Sequence, residues 1–356
     1  MPPLKPMLAK AVAEIPEAEE GELVFEPKWD GFRCIVFRDG DEVVLGSRNE
    51  RPLTRYFPEL VGPIREQLPT RCVLDSELVI ATDSGLDFEA LQQRIHPAES
   101  RVERLARETP ASLVLFDLLS VDDDALLSRP LRERRERLVS TCGSVHPPLY
   151  LTPSTFDREL AAEWFVRFEG AGLDGVMAKP AGGTYQPDKR VQFKVKHRRT
   201  ADCAVAGYRI HKSGDGVGSL LLGLYDGARV LHHVGVAASF SVQARRELAT
   251  RLEPLEREAV SGHPWEEWIT LGEQARAGGQ RAPGGLSRWN AGKDMSFIPV
   301  RVELVVEVAY EHVMSGRFRH GARFVRWRED RSPESCTYAQ LDEVPPFELH
   351  EIFAAG

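Results

Sequence analysis

Lys28, in the run Glu26-Pro27-Lys28-Trp29-Asp30-Gly31, sets an amine two residues before a carboxylate and three before a glycine. An ε-amine can attack phosphorus and carry a nucleotide covalently if neighbouring cations or a metal-bound phosphate lower its pKa. Lys-x-Asp-Gly alone is weak, since ordinary residue usage produces it in roughly one chain in fifteen of this length; the segments that follow must decide. Leu74-Asp75-Ser76-Glu77-Leu78 puts two carboxylates at i and i+2, on one face of a strand. They suit a metal or ribose ligand, chiefly Glu77, or a solvated strand face. Asp174-Gly175-Val176-Met177-Ala178-Lys179 repeats the order of acid, turn, apolar strand and lysine, with a glycine that permits close backbone approach to a ligand. Gln192-Phe193-Lys194-Val195-Lys196 alternates, so Lys194 and Lys196 share a face and could grip one phosphate group. Ser47-Arg48-Asn49 reads as a turn, and Phe116-Asp117 as a core aromatic or a base-stacking platform.

Only nine of the 46 basic residues are lysine, and Lys28, Lys179, Lys194 and Lys196 all fall in these segments. Arginine serves nearly everywhere a plain positive charge is enough. A retained lysine therefore points to a need for a compact ammonium or a deprotonatable amine, which guanidinium cannot supply.

The elements that must position these groups form an α+β pattern from Glu22 to about Lys196. Residues 34–37, 43–45, 73–74, 113–116 and 176–178 read as strands, and 87–95, 130–141 and 156–169 as helices, the last with Asp157 near its start and Gly170 and Gly172 at its end. Asp39-Gly40 between two strand-like runs signals a hairpin, so the sheet is at least partly antiparallel. From Thr200 the chain changes to short strands at 203–208, 219–225, 229–234 and 302–308, with one helix at 242–253 after Ser241. Five or so strands and one helix suit a small closed barrel such as the OB-fold. These patterns predict two domains, 1–200 and 201–356, with a hinge at residues 196–200 and a mobile Gly/Pro/Arg-rich loop at 276–292.

A chain of 356 residues, 42% hydrophobic and 28% charged, is long enough for two cored globular domains. No apolar run approaches the roughly 18 residues of a membrane span, and the first residues lack the apolar core of a signal peptide. A cytoplasmic protein without a membrane partner is expected. The five scattered cysteines show no zinc-binding spacing and read as buried free thiols. A net charge of -8 argues against a general polyanion-coating protein, so any nucleic-acid surface must be local, with residues 189–199 and 317–331 as the basic candidates.

Taken in order, Lys28-x-Asp30-Gly31, Ser47-Arg48, Asp75-x-Glu77, Phe116-Asp117, Asp174-Gly175 to Lys179 and Lys194-x-Lys196 resemble the nucleotidyltransferase motifs of ATP-dependent DNA ligases and mRNA capping enzymes. Arg326-Trp327-Arg328-Glu329-Asp330-Arg331 is similar to the last motif of that superfamily, which lies on an OB-fold. Within it the chain most resembles the bacterial ligase C type and the ligase domain of ligase D, including in Leu4-Lys5-Pro6-Met7-Leu8-Ala9. The resemblance implies an ATP-grasp-like adenylyltransferase domain followed by an OB-fold, and a monomer that seals nicked or broken double-stranded DNA in repair at the bacterial nucleoid.

It also implies roles. Lys28 would be the adenylated nucleophile, Glu26 would lie near the adenine, and Phe116 would stack on the base. Arg33, Arg48 and Glu77 would surround the ribose and phosphate, and Lys179, Lys194 and Lys196 would hold the α-phosphate. Glu77 and Asp174 are the implied ligands of Mg²⁺ or Mn²⁺, although the family usually has Glu where this chain has Asp174. Arg328 and Asp330 would orient the pyrophosphate leaving group, so rotation about residues 197–202 is expected between chemical steps. A primase-polymerase or an end-binding protein is the implied partner. The alternative readings are an RNA ligase, a GTP-using capping enzyme, or a non-catalytic OB-fold protein that binds DNA ends.

Overall fold

The computed structural model describes residues 4–82, 85–197, 199–271, 296–341 and 348–354. They fall into two compact units, Met1–His197 with Val344–Gly356, and Arg198–Glu343. The loop expected at 276–292 lies outside the described residues.

Two large sheets build the first unit, beside a two-stranded one of Ala81–Thr82 and Gly85–Leu86. One runs in the order Leu8–Val12, Arg190–Lys196, Gly175–Pro180, Leu23–Pro27, parallel at the first pair and antiparallel at the others. The other runs Leu149–Leu151, Ser112–Val121, Arg71–Val79, Phe32–Asp39, Glu42–Ser47, parallel only at its first pair. The hairpin expected at Asp39-Gly40 joins its last two strands. Strand period two sorts the side chains of this second sheet. Cys34, Val36, Leu74, Leu78, Leu113 and Leu115 are buried in the main core with Ile64, Leu91 and Leu138 from three helices. Arg33, Glu77 and Phe116, one residue out of phase, line a cavity instead. The first sheet divides likewise: Leu23, Phe25, Val176 and Ala178 enter a second core cluster with Trp29 and Trp164, while Glu26, Met177, Lys179 and Lys194 line that same cavity.

The predicted helices are present as Phe88–Gln93, Leu131–Cys142 and Arg158–Arg167. Asp157 caps the last, its Oδ1 accepting from the amides of Glu159 and Leu160, and the turn that follows ends at Gly172 in the left-handed region. Helix Glu99–Glu108 was not foreseen, because only Val102 and Leu105 of its ten residues are buried apolar positions.

The second unit is an OB-fold. Its antiparallel sheet runs Leu231–Ala238, Val217–Tyr225, Arg199–Ile210, Val305–Tyr310, Arg323–Trp327. The bridge between Ala237 and Ala322 brings the two edges together. Helix Val242–Leu252 starts at Ser241, whose hydroxyl accepts from the Ala244 amide at 3.2 Å. The strand expected at 229–234 begins later, at Leu231. Asp226 Oδ1 accepts from the amides of Ala228 and Val230, which makes a turn of the preceding residues and leaves Arg229 at φ 62.

One segment belongs to the other unit from the one predicted. Helix Leu349–Ala354 falls in the range read as OB-fold, yet Leu349 and Ile352 are buried with Trp29, Trp164 and Phe168 of the first unit. Local pattern locates such a short helix poorly, and nothing in it says which core will take its apolar face. All five cysteines are free and buried, as read from their scatter. Among the described residues, no helix is long and apolar enough to cross a membrane.

Candidate active site

Lys28 begins the run that links the two sheets, since Leu23–Pro27 belongs to one and Phe32–Asp39 to the other. Its backbone is held on both sides by the second acid-glycine segment: the Lys28 amide donates to Gly175 O at 2.8 Å and the Asp174 amide to Lys28 O at 2.9 Å. The glycines of both segments are required by contact. A Cβ on Gly31 would lie 2.1 Å from Leu78 O, and one on Gly175, where φ is 134°, would lie 2.0 Å from Val195 O. The sequence therefore folds the Lys28 turn directly onto the strands that carry Glu77 and Lys194–Lys196.

The cavity enclosed there measures about 250 Å³. Glu26, Lys28, Arg33, Arg48, Glu77, Phe116, Lys179 and Lys194 line it, which brings together eight of the nine residues read as nucleotide contacts. The ninth, Lys196, meets the group through Asp174: its ammonium lies 3.1 Å from Asp174 Oδ2, the oxygen that also accepts from Lys28 Nζ. Asp174 thus faces two ammonium groups and is only 5% exposed in its side chain. Read from sequence as a metal ligand, it stands here as the common acceptor of two lysines.

Arg33 and Lys179 are each braced by a carboxylate. Asp75 takes both arms of Arg33, from Nε at 2.5 Å and Nη2 at 2.7 Å, and a bond from the Tyr185 hydroxyl at 2.6 Å. The Arg33 guanidinium lies 4.4 Å from the Phe116 centroid; burial works against its charge, but the Asp75 carboxylate and its neighbours outweigh burial and raise its pKa above the ordinary arginine value. Lys179 donates to Glu26 Oε2 at 2.5 Å and sits 4.6 Å from the same ring. That bond commits the Lys179 ammonium to the Glu26 side of the cavity, although the resemblance implies a phosphate role. Glu26 is 2% exposed, and its Oε1 has no hydrogen-bond partner among the described residues, so it offers a buried acceptor to whatever fills the cavity. Enclosure raises the Glu77 carboxyl to about 7; Arg33 and Lys28 pull it down, while Asp75 and Asp30 add to the rise. Arg48 follows the strand Glu42–Ser47 in a turn closed by the Ser47 amide on Arg51 O and the Glu50 amide on Ser47 O.

Sequence reasoning missed two participants, Arg190 and Tyr185, and one pairing, that of Asp75 with Arg33 and Tyr185. Arg190 lines the cavity because it shares the period-two face of Gln192, Lys194 and Lys196 and opens the same strand, a signal present but not followed back far enough. Tyr185 and Asp75 act through Arg33 across 110 residues, and no local pattern reports that pairing.

In the second unit Arg328 is locked in a network of its own. It donates to Asp202 at 2.8 and 3.0 Å and to Asp330 at 2.7 and 2.9 Å, and Arg331 shares Asp202 at 2.8 Å. These bonds hold the Asp330 carboxyl well below the ordinary carboxylate range. Arg326 pairs with Glu307 at 2.6 Å on the adjoining strand.

A lysine, a carboxylate facing it and a ring of cations around an aromatic-walled cavity, followed in the chain by an OB-fold, define a nucleotide-handling enzyme. The ATP dependent DNA ligase domain matches residues 6–196, and the ATP dependent DNA ligase C terminal region matches residues 213–331. The chain belongs to the ATP-dependent DNA ligases. Within that family it is similar to DNA ligase C of Mycobacterium tuberculosis, at 57% identity covering 99% of this chain and 97% of that protein. It is 56% identical to DNA ligase C2 of Mycolicibacterium smegmatis, over 97% of this chain and 96% of the other. The solved structure of a Lig E DNA ligase, 17% identical with a TM-score of 0.55, covers 90% of this chain and 99% of its own and shares the fold. The chain is accordingly an ATP-using DNA ligase, which sets aside the capping-enzyme, RNA-ligase and non-catalytic readings.

Proposed function

We propose that Lys28 is the nucleophile of this ligase and that the cavity around it binds ATP with the α-phosphate toward Lys28, Lys194 and Lys196. The Lys28 amine attacks the α-phosphorus in line; a nitrogen–phosphorus bond forms, the bond to the bridging oxygen breaks, and pyrophosphate leaves. The amine must lose a proton to react, and Asp174, bonded to Lys28 Nζ, is the acceptor nearest to it. Glu26 Oε1, a buried acceptor without a partner, suits the exocyclic amine of adenine, and the Phe116 ring suits its face. The Arg33 guanidinium, already fixed by Asp75, serves the ribose and phosphate with Arg48.

A magnesium or manganese ion fits this donor set through Glu77, a carboxylate lining the cavity beside the phosphate-binding cations. Mg²⁺ commonly takes one or two carboxylates and completes its shell with water and substrate phosphate. Among the described residues no group of three His, Cys, Asp or Glu side chains is placed to hold a metal ion. The ion would neutralise phosphate charge during transfer. Asp174, shared by two lysines, would reach it through water.

The lysyl-bound AMP then passes to the 5′-phosphate at a nick in duplex DNA, the 3′-hydroxyl attacks that activated phosphate, and AMP is released. Arg328 and Asp330, on the OB-fold, would serve the pyrophosphate-releasing step, with rotation about residues 197–202 separating it from sealing. The protein works on this reading as a monomer on nucleoid DNA, alongside a repair primase-polymerase or an end-binding protein.

The observation that carries the proposal is the convergence of Lys28 and Lys196 on Asp174 beside a cavity lined by the other predicted contacts. Mass spectrometry of the purified protein tests it: AMP should be found on the peptide containing Lys28 and be removed by pyrophosphate. AMP on any other residue refutes it.

Glu77 gives the step a pH dependence. Because its carboxyl sits near 7 rather than 4.5, it is largely protonated below that value and becomes an anionic ligand above it. The adenylation rate at limiting Mg²⁺ is expected to climb as pH rises through about 7. Glu77→Gln should lower the rate and erase that inflection; a profile unchanged by the substitution would count against Glu77 as a ligand.

A further inference from the structure

Helix Leu349–Ala354 does more than cover a core. Its Phe353 ring stacks on the indole of Trp29, the residue after Lys28, with centroids 5.3 Å apart and planes within 8°. It also stacks on Tyr150, at 3.8 Å and 17°. Phe353 therefore contacts both aromatic rings by stacking. The indole is fixed at a third point, where Nε1 donates to Thr152 Oγ1 at 2.8 Å. Leu349 and Ile352, 6% and 0% exposed, anchor the helix in the cluster that contains Trp29.

The segment from Lys28 to Asp30 belongs to no strand or helix. Among the contacts that hold it are the two backbone bonds of Lys28 with Asp174 and Gly175 and the bond from the Trp29 indole. Successive residues of an extended chain point to opposite sides. A tilt of the Trp29 indole would carry through one peptide unit to the direction of the Lys28 side chain. In-line attack on phosphorus needs that direction to be held closely.

From these contacts we infer that Phe353 is a positioning residue for self-adenylation, acting through Trp29 on the amine of Lys28. The inference rests on the proposal that Lys28 is the nucleophile. The flat face of the ring matters more than its bulk, because both of its partners meet it by stacking. Only the step in which Lys28 attacks should depend on it; sealing of DNA whose 5′-end already carries AMP requires no nucleophilic lysine.

The test uses the full chain, stripped of AMP with pyrophosphate, and follows single-turnover labelling by ATP well below each variant's melting temperature. Phe353→Ala should slow adenylation about tenfold, an ångström-scale misplacement being able to cost more than that. The rate is compared at saturating ATP, because Trp29 also lines the cavity, and the sealing of pre-adenylated nicks should stay within about twofold of wild type, on the premise that the attack of Lys28 is what is disturbed. Phe353→Tyr should restore the rate. Phe353→Leu, which keeps apolar bulk without a planar face, should remain slow and carries the test if the alanine variant fails to fold. Wild-type adenylation in Phe353→Leu, or an equal loss in the sealing of pre-adenylated DNA, overturns the inference. Failure of the wild type to carry AMP on Lys28 overturns instead the proposal beneath it.

Discussion

Replacing Lys28 by alanine is expected to lower ATP-dependent nick sealing by at least about 10⁴-fold, the scale seen when a covalent nucleophile is removed. Lys28→Arg should be as inactive, because a guanidinium stays protonated and offers no lone pair for attack. The fold should survive both changes. The turn is held by backbone bonds of residue 28, which any side chain preserves, and Asp174 keeps Lys196 as its ionic partner. No buried carboxylate is left without a cation, so the loss would be of chemistry rather than of structure. Two measurements separate the steps: labelling by ATP, which should vanish, and sealing of a nick whose 5′-phosphate already bears AMP, which should persist. ATP-dependent joining within tenfold of wild type would refute the assignment.

The second large effect is expected on stability, at the buried pair of Asp117 and Arg134. Arg134 is 0% and Asp117 2% exposed in the side chain, and two parallel bonds of 2.8 and 2.9 Å join them. Arg134 Nη1 adds bonds to Arg129 O at 2.5 Å and Gly183 O at 3.2 Å. Removing one member strands the other's charge in the core, which costs about 3–5 kcal/mol. Asp117→Leu or Arg134→Met alone should therefore lower the melting temperature by roughly 10 °C. The double variant should recover much of that, since two well-packed apolar residues leave no charge unpaired. A double-mutant cycle measured by urea titration checks this; additive losses would mean the pair does not act as a unit. Asp117 follows Phe116, so the pair also fixes one wall of the cavity.

Much of the chemistry was legible because it is written locally. A strand's period of two is enough to put Lys194 and Lys196 on one face, and each acid-glycine turn announces a close backbone approach, which the 2.1 and 2.0 Å clearances at Gly31 and Gly175 make physical. The OB-fold was readable from short strands broken by glycine turns. What the sequence could not reveal is pairing at a distance. Nothing local links Asp75 to Tyr185, Asp117 to Arg134, or Lys179 to Glu26, yet these bonds decide which charges face the cavity and which are already committed. The same holds for Asp174. Its position beside a glycine suggested a ligand, and only the fold brings two ammonium groups to one of its oxygens. Helix Leu349–Ala354 escaped for the complementary reason: six residues carry too little periodicity to choose between two cores.

That helix sets an order on synthesis. The first unit's aromatic cluster is completed by Leu349 and Ile352, which leave the ribosome only after the whole of Arg198–Glu343 has been made. Domains generally fold as their residues emerge, so the OB-fold can be finished while the unit made before it still lacks part of its core. Until residue 353 arrives, one face of Trp29 has no ring to stack on, and the turn bearing Lys28 is held by fewer contacts than in the finished protein. The nascent enzyme is thus expected to become competent for adenylation late, when nearly all of its DNA-joining machinery is already in place.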